Sequence, residues 1–270
     1  MFSLHFRLLE AIQEDRLDDV QALIARILAL EPAGHGILST TFDPNEFPWD
    51  CETVAGYFAA EEDSLFRYVA PSANVVPARA AQVEAALELI RRTLPGLAAE
   101  LEEVITTVIL ARGVPTGDTS TSVAPFEGAS ALRAFGAIVL DVRPDPSVVN
   151  CATSLIHEEA HSTLYALSPM EGVVTNADDE RHSSPLRDDP RPLEGIFHAT
   201  FVIARIIYAM ETMLDSGGLS SEDQRVAVEN LEDSRPLFFD GLATLRRHAN
   251  LTPAGDAALE AAETYMAAYT

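Results

Sequence analysis

Lysine is missing from this chain altogether: all 18 basic side chains among its 270 residues are arginine. Schiff-base chemistry, a pyridoxal-phosphate anchor and a Walker-type phosphate loop each need a lysine amine, so all three are excluded. Positive charge of any kind is scarce, with 18 basic residues against 42 acidic ones and a formal net charge of -24. A nucleic-acid partner is therefore not expected, because phosphate binding depends on clustered basic side chains that release counterions. A basic peptide or a small molecule suits such a surface better. Cysteine is limited to Cys51 and Cys151, a hundred positions apart. That spacing gives neither a disulfide framework nor a C-x-x-C pair, and both thiols are read as reduced and buried. The longest apolar run, "IFHATFVIARIIYAM", carries His198 and Arg205 and is read as too short to span a bilayer. Acidic residues interrupt the first twenty positions where an export signal would be continuously apolar. The expectation is a cytoplasmic protein with no membrane partner.

What is present is enough apolar material, 47% of the residues, to fill a core. Residues 4–31 place leucine, isoleucine and valine at three- and four-residue intervals and predict two short amphipathic helices or one bent one. "EPAGHGILSTTFDPNEFPWD" is punctuated by Pro44 and Pro48 and reads as an irregular link. Helical spacing returns over 76–112 with a break at Pro95-Gly96. "GAIVLDV" is the one convincing strand. Helices are expected again over 147–167, from about 190 to 214, over 221–249 and over 255–269. These features predict a mainly α (α+β) fold: one helix-dominated, zincin-like domain over 1–270 with a small central sheet. Within it, 1–112 is an N-terminal helical layer, 113–214 the core that carries the site, and 215–270 C-terminal helices.

The stretch "ATSLIHEEAHSTLYAL" holds the strongest chemical signal. His157 and His161 are one helical turn apart, so both imidazoles can face one ion, and Glu158 lies beside them. In a chain with 7 histidines among 270 residues, an H-E-x-x-H pattern is expected by chance only about 0.016 times, which sets accident aside. The plainer alternative is a pair of helix histidines bonded to carboxylates.

Two imidazoles hold a first-row divalent ion weakly, so a third protein ligand is required. "SPLRDDPRPLEGIFHATFVIAR" supplies candidates: Asp189 is placed to cap a helix with Pro190 and Pro192 in its first turn. That helix carries Glu194 and His198 four residues apart. Either side chain can complete the site, the histidine-rich stretch favouring His198 and a carboxylate-containing triad favouring Glu194, and the other then lies one turn away as a supporting residue. The alternative for His198 is a core histidine among phenylalanines. Arg187 and Arg191 flank the segment and are candidates for a two-pronged grip on a carboxylate, or else form local ion pairs with Asp188, Asp189 and Glu194.

Taken together, "SLIHEEAHSTLYAL", "SPLRDDPRPLEGIFHATFVIAR", the Ser-rich "TSTSVAP" and "GAIVLDV" resemble the HExxH-motif family found with ribosomally synthesised, post-translationally modified peptides. The likeness covers roughly residues 115–215, and the "RDDPRPL" block is foreign to ordinary zinc peptidases. It implies a 2-oxoglutarate-dependent peptide β-hydroxylase with Fe(II) held by His157, His161 and a residue of "EGIFHA", His198 being taken ahead of Glu194. A precursor peptide and O₂ would be co-substrates, and Arg191 or Arg187 would pair with the distal carboxylate of 2-oxoglutarate. Glu158 and Glu194 are the candidate catalytic carboxylates, Glu158 orienting a ligand or holding substrate.

Two rivals stand beside this. In a zinc metallopeptidase of the zincin type, Glu158 would be the general base for a zinc-bound water. In a peptide-binding accessory protein, the acidic surface would steer a basic leader peptide and the metal site would be structural.

Overall fold

A computed structural model describes residues 7–8, 11–12, 14–28, 36–45, 47, 49–60, 65–116, 126–143, 147–167, 171–186 and 189–269. Two compact units emerge, one from Met1–Ala81 with Glu100–Pro144, the other from Gln82–Ala99 with Asp145–Thr270. The helices are α1 (Leu17–Leu28), α2 (Cys51–Ala59), α3 (Val76–Thr93), α4 (Pro95–Val104), α5 (Val148–Leu167), α6 (Leu193–Asp215), α7 (Ser221–His248) and α8 (Pro253–Met266). The strands are β1 (Leu38–Thr41), β2 (Phe66–Val69), β3 (Thr107–Pro115), β4 (Gly128–Ser130), β5 (Ala137–Asp141), β6 (Arg181–His182) and β7 (Arg191–Pro192). The chain is therefore helix-dominated with a small mixed sheet, as expected.

The first unit is built around β3. Strands run in the order β1-β3-β5-β4, with β1, β3 and β5 parallel and β4 antiparallel; β2 pairs antiparallel with the far half of β3. Val108, Ile109, Leu110 and Ala111 are all buried. A strand covered on both faces reads as an unbroken apolar run with no alternation. The helix expected through residue 112 therefore ends at Val104, and β3 takes over. The supposed irregular link contains β1, and Asp50 caps α2 by accepting from the Thr53 amide at 2.7 Å. Five aromatics collect here: Phe42, Phe47, Phe58, Tyr68 and Phe126 form one cluster with Ile109 and Val139. The "TSTSVAP" segment lies outside the described residues.

In the second unit α6 packs against both α5 and α7. Leu164 of α5, Leu193, Ile196 and Phe197 of α6, Leu245 of α7 and Leu259 of α8 share a core with Val173 and Val174 of the α5–α6 connection. By length and composition α6 could cross a membrane after all, at 23 residues, but 61% of its most apolar window is buried within the protein, as in a core helix. It begins at Leu193 rather than near Pro190, because Arg191 and Pro192 pair as β7 with β6; Pro192, not Asp189, is its N-cap residue. At the crossing of α6 and α7 there is no room beside Gly241, where a Cβ would lie 2.2 Å from Thr200 Oγ1.

That contact gives two substitutions of opposite sign. Gly241→Ala should lower unfolding free energy by about 1–3 kcal/mol through overpacking. Gly56→Ala, in α2 with nothing within 4 Å of the new methyl, should raise it by about 0.5–1 kcal/mol. Urea melts of the two variants beside the parent decide it, and equal shifts would refute the packing argument.

Candidate metal centre

α5 carries the H-E-x-x-H sequence as a continuous 20-residue helix with no proline or glycine. Its start is fixed from outside. Asp223 Oδ1 accepts from Ser147 Oγ at 2.8 Å and from the amides of Val148 and Val149 at 3.0 and 3.4 Å, while Ser147 Oγ accepts from the Asn150 amide. Asp223 belongs to α7, where the Ser220 hydroxyl caps the Asp223 amide and donates to Asp223 Oδ2. One carboxylate thus serves the positive ends of two helices.

His157 Nε2 and His161 Nε2 are 3.3 Å apart, and His161 Nδ1 is 3.0 Å from His198 Nδ1 of α6. The rings of His161 and His198 stack at 21° with centroids 5.3 Å apart. Sequence and structure therefore agree that these three side chains come together. Ligands about 2.0–2.1 Å from a tetrahedral ion are about 3.3 Å from one another, so the His157–His161 edge has the right length. Burial holds His157 down to about 4, and burial together with the neighbouring His157 and His198 holds His161 well below its ordinary value. Both rings are neutral at pH 7, the form in which imidazole binds a metal. Each of the three still reaches the surface in part.

Among the described residues, no group of three or more His, Cys, Asp and Glu side chains is arranged as it stands to hold an ion. The reason is visible in His161, which turns one nitrogen to His157 and the other to His198. One ring gives one lone pair to one ion, so a three-histidine centre requires His198 to swing onto the His157–His161 edge. The donor chemistry of three imidazoles fits a divalent transition metal.

Glu194 sits behind His198, its Oε1 3.6 Å from His198 Nε2, long for a hydrogen bond but within electrostatic reach. Its Oε2 accepts from the Val174 amide at 3.3 Å. Burial pushes the Glu194 carboxyl up, but His198 and the amides of Val174 and Val173 outweigh it and leave the carboxyl below the usual range. Glu158 is buried, at 5% exposure. Arg191 has its Nε 3.1 Å from Asp189 Oδ2 and is mostly buried, so its local ion pair is present. Arg187 and Asp188 lie outside the described residues.

Sequence reading missed Glu159 and Arg205. Glu159 is 0% exposed; Thr163 Oγ1 donates to it at 2.6 Å and Arg205 Nη2 at 2.8 Å, the guanidinium resting 5.5 Å from the Phe201 ring. The signal was there: a single arginine in the apolar "FVIARIIYAM" needs an anion close by. Tyr165, one turn beyond His161, was missed too; its ring centroid is 5.5 Å from that of His198.

Comparison with known proteins finds no family model that matches the chain and no curated protein that matches it.

Two stability experiments follow. Burial pushes the Asp223 carboxyl up, but the hydroxyls of Ser220 and Ser147 and the amides of Val149 and Val148 prevail and lower it. A lowered folded-state value stabilises above the unfolded value of about 3.9, and that contribution is lost as pH falls through the folded value. Asp223→Asn should therefore cost about 1–2 kcal/mol at pH 7, and the gap to the parent should close below about pH 4; a gap that is constant with pH would disprove the double cap. Breaking the buried pair by Glu159→Gln or Arg205→Met should cost about 3–5 kcal/mol, whereas Glu159→Met combined with Arg205→Met should recover most of it. Denaturant titrations of the three variants measure the coupling, and simple additivity would contradict it.

Proposed function

We propose that this protein is an Fe(II)/2-oxoglutarate-dependent dioxygenase that hydroxylates the β-carbon of a residue in a ribosomally made precursor peptide. The observation that carries the reading is the meeting of His157, His161 and His198, two of them neutral by burial, at 3.0–3.3 Å. The likeness of the surrounding segments to the peptide-modifying HExxH family supports iron and 2-oxoglutarate over other metal chemistry. A mixed sheet preceding the HExxH helix is compatible with a zincin-like fold.

The three imidazoles would hold the iron, which when bound couples oxidation of 2-oxoglutarate by O₂, giving succinate and CO₂, to insertion of the second oxygen atom into a C–H bond. Glu194 would keep its carboxylate beside His198 and favour the proton on Nε2, leaving the Nδ1 lone pair free to turn onto the His157–His161 edge. Arg191 would exchange exposed Asp189 for the distal carboxylate of 2-oxoglutarate, a planar fork meeting a planar anion. Glu158, already buried, would limit the volume beside the histidines. The net charge of -24 favours approach of a basic peptide.

A second reading has an observation in its favour. A set of three histidines is a ligand set that zinc enzymes use, and Glu158 follows His157 in the motif as the general base of a zincin does. The two readings separate in one experiment. Protein loaded anaerobically with Fe(II), then given 2-oxoglutarate, air and precursor peptide, should release succinate and add 16 Da to the peptide, and His198→Ala should weaken iron binding by about 10–100-fold. Peptide fragments without succinate, seen with zinc instead, would replace the oxygenase by the peptidase.

A further inference from the structure

Residues 171–182, between α5 and β6–β7, form a strap across the α7–α8 connection. Thr252 donates its amide to the Val173 carbonyl at 3.0 Å and its hydroxyl to the Gly172 carbonyl at 3.1 Å. Val174 bridges Leu251, and the Thr175 amide donates to the Asn250 carbonyl at 2.8 Å. Asn176 is held twice, accepting from the Asn250 amide at 2.6 Å and donating to the His248 carbonyl at 3.1 Å. Farther along, His182 stacks on His248 with centroids 4.1 Å apart and contacts Glu180 at 3.0 Å. The strap lies so close to α8 that a Cβ on Gly255 would fall 2.1 Å from the Val173 carbonyl oxygen.

The free side of this strap meets the metal centre. The Val174 amide donates to Glu194 Oε2 at 3.3 Å. Gly172 has φ +68°, a left-handed conformation that glycine adopts without strain, and a Cβ there would touch both Glu194 oxygens at 3.4 Å. The Glu194 carboxylate in turn faces His198 Nε2 at 3.6 Å, while the other nitrogen of that ring faces His161. A carboxylate behind one imidazole nitrogen favours the proton there and leaves the lone pair on the opposite nitrogen, toward the cluster.

We propose that Thr252, acting through the Gly172–Val174 strap and Glu194, is a positioning residue for His198: it sets which nitrogen of that ring presents its lone pair to His161 and thereby how tightly the three-histidine centre holds a metal. This rests on His198 being the third ligand, as in the reading above. Thr252 touches neither metal nor substrate; its hydroxyl also accepts from the Gly255 amide at 3.1 Å as the N-cap of α8, and the strap is its one route to His198.

The test uses the full chain labelled with ¹⁵N-histidine and free of metal. In the parent, His198 should carry its proton on Nε2, and Glu194→Gln and Thr252→Val should both move it toward a mixed population, while Thr252→Ser, which keeps the hydroxyl, should match the parent. Should Thr252→Val fail to fold, Gly172→Ala perturbs the strap at the Glu194 end and should give the same mixing. Co(II) titration then reads the consequence: about tenfold weaker binding for Glu194→Gln and about threefold for Thr252→Val, the double variant being no weaker than Glu194→Gln alone. A Thr252→Val protein that melts earlier yet keeps the parent's His198 proton and Co(II) affinity would overturn the proposal, as would a double variant whose losses add. A parent that takes up no Co(II) would sink the metal reading instead, and the proton position of His198 would still decide whether the strap positions that ring.

Discussion

Three imidazoles can touch only if no two of them are charged. Two unit charges about 5 Å apart repel by about 3 kcal/mol even at an effective dielectric of 20, more than a helix cap contributes. Burial resolves this by keeping His157 and His161 neutral. The cost is a fixed geometry: a 3.0 Å contact between His161 and His198 ties α5 to α6. The supports around the site can be understood from that constraint. Asp223 secures the first turn of α5, Glu159 and Arg205 tie its middle to α6, and the strap holds Glu194 behind His198.

The Glu159–Arg205 pair shows why stability alone is a poor account of these supports. A buried ion pair gains little over an apolar pair of the same volume, because removing two charges from water offsets most of their attraction. What charge adds here is register. Sliding α6 by one turn moves every residue about 5.4 Å along its axis; that would strand a buried guanidinium and a buried carboxylate, and it would take His198 out of reach of His161. The same two helices packed by leucine and isoleucine alone could accept neighbouring registers at small cost.

Local signals were legible in the sequence and remote ones were not. The HExxH helix, β5 and the C-terminal helices each announce themselves by spacing within a single segment, and His157, His161 and His198 could be nominated together because two helical i, i+4 pairs are easily seen. β3 was taken for helix because burial on both faces erases the alternation that marks a strand. β1 was hidden by the glycines and prolines around it. Asp189 looked like a cap since Asp before Pro usually is one, but pairing of β7 with β6 takes the backbone at Arg191 and Pro192 out of the helix. The strap was invisible for another reason: it is held largely through main-chain groups, by partners some 80 positions away at Thr252, and main-chain partners have no residue signature.

The structure also bears on a choice that spacing left open, between His198 and Glu194 as the third ligand. Glu194 accepts from the Val174 amide at 3.3 Å and faces His198, and its carboxyl is lowered toward the charged form. To reach a metal it would have to give up that amide bond, worth about 1.5–3 kcal/mol when the acceptor is charged. His198 already has one ring nitrogen 3.0 Å from His161. In the proposed reading this matters for the chemistry as well as for the geometry. Three neutral imidazoles leave the full positive charge of a divalent ion uncompensated by its protein ligands, whereas a carboxylate in the set would cancel half of it. An uncompensated ion draws anions, and a keto acid with two carboxylates is a better match to such a centre than to one already partly neutralised. The same residual charge would also acidify a bound water for hydrolysis, so the ligand set alone leaves both reactions open.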